Sequence, residues 1–316
     1  MKKDAREIDE GTDYIGFMEA LEIVTAAIRR LGDEELPLSL STGRVAAGDV
    51  AAEVSYPSID VSLKDGFAVK SSDVARAERD APVRLNVIGA SFAGVPFGGR
   101  IKSGEAVKVC SGAPIPDGAV AVVSGEFCEE GSGGVVAVTA DAGPGRNILR
   151  AGIEGAAGAT ILRRGERSAP GHLGLAAAAG ISAVRVRRRP SAAIVSIGDE
   201  VVSPGEALQA GQLYASNLVT MEAWLASFSI PCVTSIVRDD VEAIQRALRA
   251  NLPGMDAILT TGGAWGSERD LVVGALDELG WVKRFHYVRM GPGKGVAFGA
   301  LEDVPVFCLP GGPLSN

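Results

Sequence analysis

The sequence contains few of the residues that usually mark redox, zinc or nucleic-acid chemistry. Only 5% of its 316 residues are aromatic, it has two histidines, and its four cysteines include no CxxC pair. These scarcities argue against a stacking surface for bases, a zinc site and a disulfide framework. The net charge of −8 also argues against a polyanionic partner such as a nucleic acid.

Long apolar segments are missing as well. The most apolar long window, residues 173–186, is shorter than the ~20 residues that a membrane-spanning helix needs. The first residues, MKKDAREIDEGTD, have no apolar stretch behind their lysines, so no signal peptide is expected. We therefore expect a cytoplasmic protein that binds neither membranes nor nucleic acid.

The residues that are present predict three segments with different secondary structure along the chain. Between Asp13 and Gly32, helical spacing predicts an amphipathic helix whose apolar positions are Ile15, Met18, Leu21, Val24, Ile28 and Leu31. From about residue 46, short apolar runs separated by Gly, Pro and Asp predict a small all-β unit. After residue 188, strands alternate with helices, including helices at 217–228 and 241–251. That alternation predicts an α/β fold with a parallel, doubly wound sheet.

Four loops follow predicted strands in the last third of the chain. They read SIGDE (196–200), RDD (238–240), TTGGAWGSERD (260–270) and LPGGP (309–313). Ligands of doubly wound sheets gather at the carboxyl ends of the strands, and glycine lets backbone N–H groups turn toward an anion. The simpler interpretation of any one of these loops is a turn followed by the N-cap of a helix. Four such loops at one edge of the sheet favour a site that binds an anion.

A second group of candidate residues lies earlier in the chain. It comprises SIDVSLKDGFAV (58–69), CSGAPIPDGAVAVV (110–123) and GRNILRAGIEG (145–155). The simpler interpretation of Asp65 is an ordinary Asp-Gly turn. For Arg150 and Glu154 it is a surface ion pair with each other, which would contribute little stability.

Taken together and in order, these motifs resemble the molybdopterin molybdenumtransferase family, which includes MoeA and the gephyrin E domain. DVSLKDGFAV (60–69) is similar to the family pattern DNSAMDGYAV, and SGAPIPDGAVAVV is similar to TGAPxPxGADAVV. SIGDEV, GQLYASN (211–217), TTGGAWGSERD, GPGKGVAFG and LPGGPLS each match a further family motif. The likeness runs from the first helix to the last residue, and the order and spacing make it specific.

The resemblance implies a fold and a reaction. The implied fold is a doubly wound, molybdopterin-binding-type α/β domain plus an elongated α+β segment with an inserted all-β domain. The corresponding ranges are 189–316 for the α/β domain, 1–45 with 146–188 for the elongated segment, and 46–145 for the β domain. Such enzymes are homodimers that insert molybdenum from molybdate into adenylylated molybdopterin and release AMP, with Mg²⁺ as cofactor. Their cleft lies between the α/β domain of one subunit and the β-rich part of the other.

The resemblance also assigns roles to individual positions. The implied catalytic acids are Asp65, Glu154 and Glu200, of which Asp65 and Glu154 would hold the metal. The implied substrate-binding residues are Ser62, Ser111, Asp199, Asn217, Thr261, Gly262, Gly263, Ser267, Asp270, Lys294, Pro310, Gly311, Gly312 and Pro313.

The departures from the family pattern concentrate among these same motifs. Val61 and Gly312 stand where the family has asparagine, Trp265 where it has serine, and Gly291 where it has lysine. The family also continues past LPGGPLSN with a helix and a C-terminal β domain, so we expect the α/β domain to be incomplete and the β domain to be absent. These differences keep an alternative open, a homologue that binds a pterin or nucleotide without turnover. A third hypothesis is an interaction scaffold, which no feature of the sequence specifically supports.

Overall fold

The structure, a computed structural model, describes residues 14–263 and 271–312. It contains two compact units. One is formed by Asp33–Arg187, and the other by the described residues up to Gly32 together with those from Arg188 onward. The finer three-part division expected from the sequence stays a prediction.

The described residues form short strands and six α-helices. The strands, β1 to β22 in chain order, are Ile15–Gly16, Asp33–Pro37, Val50–Ala51, Val61–Ser62, Gly66–Val69, Val83–Ser91, Glu105–Val109, Ala121–Ser124, Cys128–Glu130, Val135–Val138, Ile148–Leu149, Thr160–Leu162, Ala183–Arg187, Ala192–Ile197, Val201–Val202, Leu213–Tyr214, Cys232–Val237, Ala257–Thr261, Val282–His286, Val288–Arg289, Ala297–Leu301 and Val304–Leu309. The helices, α1 to α6, are Phe17–Ala27, Ser71–Val74, Pro170–Ala178, Ser216–Ser227, Val241–Asn251 and Leu271–Glu278. Two 3₁₀ turns lie at Leu38–Leu40 and Gly125–Phe127.

The unit Asp33–Arg187 is built on a six-stranded sheet with the order β8-β5-β7-β6-β10-β9. The strand β5 reads GFAV and is buried at all four positions. Because successive side chains alternate between faces, Phe67 and Val69 pack into one apolar cluster while Ala68 packs into another. The predicted small β unit is therefore present, and a core covers both faces of its central strand.

The second unit is an α/β sandwich around a sheet with the order β17-β14-β18-β22-β21-β19. The strand β14 reads AAIVSI and is buried throughout, as a central strand covered on both faces must be. On one face Ile194 packs against Leu218 and Met221 of α4. On the other face Val195 belongs to the cluster that includes the buried residues of α5 and α6. The predicted α/β fold with helices on both faces is confirmed.

The sheet is mixed, which differs from the predicted parallel one. The strands β17, β14, β18 and β22 run parallel, but β21 pairs antiparallel with both β22 and β19. The reason is the short connection between β21 and β22. Glu302 and Asp303 both adopt positive φ angles, of 49° and 69°, which is the geometry of a two-residue hairpin turn. A connection this short can join only antiparallel strands.

The first helix is shorter than predicted, and only part of its predicted apolar stripe is buried. Helix α1 covers Phe17–Ala27, and Ala20 and Val24 pack against a cluster that contains Phe285, Val288 and Phe298. The predicted apolar positions Met18 and Leu21 are 62% and 47% exposed instead. Helical spacing alone does not show which of two overlapping apolar stripes is buried. The sheet against which the helix packs decides this. Among the described residues, no helix is long and apolar enough to cross a membrane.

Candidate functional site

The candidate site of the α/β unit lies where its parallel strands end. The strands β14, β17, β18 and β22 are parallel neighbours, so their carboxyl ends meet at one edge of the sheet. The loops after Ile197, Val237, Thr261 and Leu309 therefore share that edge. This confirms the prediction that the four motifs follow strands at a common edge, where ligands of such sheets bind.

A cavity of ≈ 280 Å³ opens at this edge. Five residues expected from the sequence line it, namely Glu200, Asn217, Thr261, Gly262 and Gly311. The same wall includes Ser196, Tyr214 and Ser216, which were not singled out. Tyr214 and Ser216 lie inside the quoted motif GQLYASN, so their position beside Asn217 was the signal that could have identified them.

Two glycines allow the strand-end loops to touch. Gly262 has a φ of +93°, and a Cβ at this position would lie 2.3 Å from the carbonyl oxygen of Ile197. A Cβ on Gly311 would lie 3.3 Å from the Cα of Gly262. Any larger residue at Gly262 would separate the ends of β14 and β18 and would also adopt an unfavourable backbone conformation. The glycine-rich motif is thus required for close backbone approach around the cavity.

Buried hydrogen bonds tie the cavity wall together. Asn217, only 9% exposed, donates from Nδ2 to the Thr261 hydroxyl at 3.0 Å and to the Gly311 carbonyl at 2.8 Å. The Thr261 hydroxyl in turn donates to the carbonyl of Pro310 at 3.1 Å. The start of α4 is therefore joined to the loops that follow β18 and β22.

Glu200 supplies a carboxylate at the cavity. Its side chain is exposed and folds back over Gly198, where a Cβ would lie 2.7 Å from its Oε2 atom. The glycine at position 198 therefore leaves the space that this carboxylate occupies. An exposed acid beside a cavity can orient water or accept a proton from it.

The remaining residues expected at this edge have varied positions. Asp199 is exposed, and its N–H donates to Oδ2 of Asp239 at 3.5 Å. Gly263 lies against α6, where a Cβ would be 2.8 Å from Val272.

Lys294 is exposed in the loop between β20 and β21 and is not among the described residues that line the cavity. Pro310 is buried and Gly312 is exposed, whereas Ser267, Asp270 and Pro313 lie outside the described residues.

The unit Asp33–Arg187 brings three of the expected residues together. The exposed Asp65 accepts a hydrogen bond at Oδ1 from the N–H of Ser111 at 2.7 Å. The Ser111 hydroxyl donates to the carbonyl of Leu63 at 3.4 Å, and the buried Ser62 hydroxyl donates to that of Lys64 at 2.7 Å. The geometry therefore holds the Asp65 carboxylate at the surface in a defined orientation.

The Asp-Gly pair at positions 65 and 66 is more than a turn. Gly66 begins β5, and a Cβ at this position would lie 2.0 Å from the carbonyl oxygen of Val123. Gly125 donates its N–H to the carbonyl of Asp65 at 2.8 Å. The backbone around Asp65 is consequently packed against the neighbouring strand, which fixes where its carboxylate emerges.

Arg150 pairs with Asp60, which corrects the simpler interpretation of a pair with Glu154. The Arg150 guanidinium contacts the Asp60 carboxylate at 2.5 Å, and the N–H of Ala151 donates to Asp60 at 2.8 Å. Burial raises the pKa of Asp60, but the hydrogen bonds from Ala151 and Arg150 and the charge of Arg150 outweigh it and hold that pKa below its ordinary value. Sequence spacing favoured the nearer acid, whereas the fold brings a residue 90 positions away into contact.

Glu154 lies exposed in the loop that follows, and its N–H donates to the carbonyl of Tyr56 at 3.2 Å. No group of three or more His, Cys, Asp or Glu side chains capable of holding a metal occurs within residues 14–263 and 271–312. Asp65 and Glu154 are exposed oxygen donors, the type that Mg²⁺ takes singly or in pairs together with water and phosphate oxygens.

Two of the cysteines, Cys308 and Cys128, have thiols with raised pKa values. Burial raises the pKa of Cys308 to about 12, and burial together with the charge of Glu130 raises that of Cys128 to about 11. Such thiols stay protonated near neutral pH and are poor nucleophiles.

Two family descriptions match the chain in succession. Residues 15–180 match "MoeA N-terminal region (domain I and II)", and residues 193–315 match "Probable molybdopterin binding domain". The second match spans the strand-end cavity. The first spans Asp65, Ser111 and Glu154.

Similar proteins cover most of the chain. The molybdopterin molybdenumtransferase of Haemophilus influenzae is 34% identical over 283 residues, which is 89% of this chain and 69% of that protein. Molybdopterin molybdenumtransferase 2 of Mycobacterium tuberculosis is 34% identical over 301 residues, 93% of this chain and 74% of that protein. The crystal structure of a molybdopterin biosynthesis MoeA protein from Pyrococcus horikoshii superposes with a TM-score of 0.83 at 32% identity and covers 96% of this chain and 76% of that one. The chain therefore belongs to the molybdopterin molybdenumtransferase (MoeA) family.

Proposed function

We propose that this protein acts in molybdenum cofactor biosynthesis as a molybdopterin molybdenumtransferase, inserting molybdenum from molybdate into adenylylated molybdopterin with release of AMP. The observation that carries the proposal is the glycine-lined cavity at the strand ends, in a chain whose two halves both match the family. The similar proteins are named as transferases, which does not favour a module that binds without turnover.

Substrate binding is assigned to the strand-end cavity. Phosphate oxygens would accept hydrogen bonds from the backbone N–H groups of Gly263, Gly311 and Gly312 in the loops that follow β18 and β22, where glycine keeps side chains out of the way. Asn217 and Thr261 fix these loops from behind. The cavity would thereby hold the pterin phosphate without needing a dense cluster of cations.

Catalysis is assigned to carboxylates. Cleavage of the adenylate breaks the phosphoanhydride bond by addition of water and leaves AMP and the pterin phosphate. Glu200 would orient that water and take up its proton, which its exposure at the cavity supports. Asp65 and Glu154 would hold Mg²⁺, which when bound neutralises phosphate charge. Ser111 orients Asp65 through its N–H group.

We also propose that the protein is a cytoplasmic homodimer. In support, helix α1 exposes large apolar side chains that a second copy could cover, with Phe17 56%, Met18 62% and Leu21 47% exposed. Exposed apolar groups that cluster on one element are typical of protein interfaces.

Genetic complementation tests the proposal in cells. We expect the gene to restore molybdoenzyme activity in a strain that lacks its molybdenumtransferase, at ordinary molybdate concentration. A Glu200→Gln variant expressed at the same level should not restore it. Failure of the parent gene, despite soluble protein at that level, would contradict the proposed function.

A further inference from the structure

The start of helix α4 has no side-chain cap, yet its second residue is a buried asparagine with a specific set of partners. The N-cap position, Ala215, offers no side-chain hydrogen bond. Asn217 points its amide into the wall of the strand-end cavity, where the residue is 9% exposed. A buried amide needs partners, because an unpaired one costs free energy.

The partners of Asn217 belong to two different loops. One Nδ2 hydrogen goes to the hydroxyl of Thr261, at the end of β18. The other goes to the carbonyl of Gly311, beyond the end of β22. A side-chain amide has two N–H donors, so these two contacts use its whole donor capacity. A donor engaged in this way is not available to a ligand.

Thr261 completes the connection between the loops. Its hydroxyl accepts from Asn217 and donates to the carbonyl of Pro310 at 3.1 Å. The N–H of Gly262 also donates to the carbonyl of Leu309, at 3.3 Å. The Asn217 side chain and the Thr261 hydroxyl therefore form one buried network that sets the spacing of the two loops whose backbone groups border the cavity.

We infer that Asn217 is a positioning residue of the pterin site, which fixes the spacing of the Thr261 and Pro310 loops and does not itself donate a hydrogen bond to the substrate. The inference deepens the proposed function and rests on it. It differs from the sequence expectation, which placed Asn217 among the substrate-binding residues. Thr261 shares this role through its hydroxyl.

Binding of adenylylated molybdopterin to four variants tests the inference. Asn217→Leu keeps the branched shape of the side chain and removes both donors together with the amide oxygen. Thr261→Val removes the hydroxyl, and Thr261→Ser retains it.

We expect Asn217→Leu and Thr261→Val each to raise Kd by about tenfold, the size expected for losing one or two hydrogen bonds. Thr261→Ser should bind within about threefold of the parent, and the double variant Asn217→Leu/Thr261→Val should bind about as tightly as Asn217→Leu alone, because both changes break one network.

Asn251→Leu is the matched control. Asn251 lies at the end of α5, and its Nδ2 donates to the carbonyl of Ala247 at 2.8 Å, away from the cavity. The same substitution there removes an amide hydrogen bond without touching the network, so it should leave Kd unchanged. For the network variants the loss should appear in KM, with kcat for AMP release within about threefold of the parent, because the loops hold the substrate in both ground and transition states.

Several outcomes would overturn the inference. A Thr261→Val variant that binds like the parent, or a double variant whose loss is the product of the two single losses, would make Asn217 an independent ligand. An Asn217→Leu variant with a lower Tm and an unchanged Kd would leave only a structural role. If the parent itself binds no adenylylated molybdopterin, the proposed function fails, and amide hydrogen exchange decides the inference instead. Faster exchange around Thr261 and Pro310 in ligand-free Asn217→Leu, but not in Asn251→Leu, would support it, and unchanged exchange would overturn it.

Discussion

At the scale of single residues, the two units present acids in different ways. Glu200 is exposed at the cavity and lies over Gly198, without an ion-pair partner among the described residues. Asp60 and Asp256, in contrast, are held by arginines and backbone N–H groups. An acid available to solvent suits proton transfer, whereas an acid engaged by an arginine and backbone N–H groups suits support of the fold. The following two predictions separate these roles.

The first prediction concerns Glu200. We expect Glu200→Gln to lower kcat for AMP release by about 100-fold or more, the usual loss when a general acid–base group is removed, with little change in Kd for adenylylated molybdopterin. Glu206→Gln is the control, since it makes the same charge change on an exposed glutamate a few residues away. A Glu200→Gln variant that releases AMP at the parental rate would exclude this acid from the chemistry.

The second prediction concerns Asp256, which precedes β18 and joins it to the start of β14. It accepts hydrogen bonds from Arg188 and from both the N–H and the hydroxyl of Ser191. The hydrogen bond from Arg188, those from Ser191 and the charge of Arg188 outweigh burial and hold the pKa of Asp256 below its ordinary value of 3.8. Its stabilisation is therefore present above that ordinary value and is lost as the pH falls through the lower, folded-state pKa.

Urea unfolding at pH 7 and at a pH below 3.8 measures the contribution of Asp256 to the free energy of unfolding. Asp256→Asn should lower the free energy of unfolding by about 2 kcal/mol at pH 7, with the exposed Arg188 partner discounted for solvent screening. The difference in unfolding free energy between the variant and the parent should shrink as the pH falls below the ordinary aspartate pKa of 3.8. Glu242→Gln, which breaks an exposed pair with Arg246, should change stability by less than about 0.5 kcal/mol. An equal loss for Asp256→Asn at both pH values would refute the assignment.

At the scale of elements, the sequence predicted the order of strands and helices better than their faces or directions. Helix α5 begins and ends where predicted, because Asp240 caps it through a bond to the N–H of Ala243 and its apolar stripe is regular. The carboxyl-edge position of the four loops was also predictable, since alternation of strands and helices forces parallel pairing.

Other features depended on contacts that sequence spacing does not contain. The antiparallel direction of β21 follows from the conformation of Glu302 and Asp303, neither of which is a glycine or asparagine that would have marked the turn. The buried stripe of α1 follows from the cluster around Phe298, and the partner of Arg150 follows from the approach of Asp60. The network around Asn217 joins residues 44 and 94 positions apart, so only the fold could reveal it.

The third prediction tests the hairpin that makes the sheet mixed. Glu302 and Asp303 adopt left-handed conformations that asparagine and glycine adopt more easily. We expect the double substitution Glu302→Asn/Asp303→Gly to raise Tm by about 2–4 °C. Asp303 also pairs with Arg29, but both side chains are mostly exposed, so Asp303→Asn should cost little by itself. A lower Tm for the double variant would contradict the turn geometry.

At the scale of the whole molecule, both units carry residues assigned to one reaction. Asp65, Ser111 and Glu154 belong to the unit Asp33–Arg187, and the cavity residues belong to the other. In the proposed mechanism, one unit would supply acids and the other a glycine-lined cavity with an acid. The proposed activity is therefore measured on a protein that contains both units.

The most direct test is AMP release by the purified protein. The protein is first loaded with adenylylated molybdopterin, and molybdate and Mg²⁺ are then added. Our account predicts the release of about one AMP per bound adenylate once molybdate is present, and little release from the Glu200→Gln variant. Tight binding of the adenylate with no AMP released after molybdate addition would contradict it.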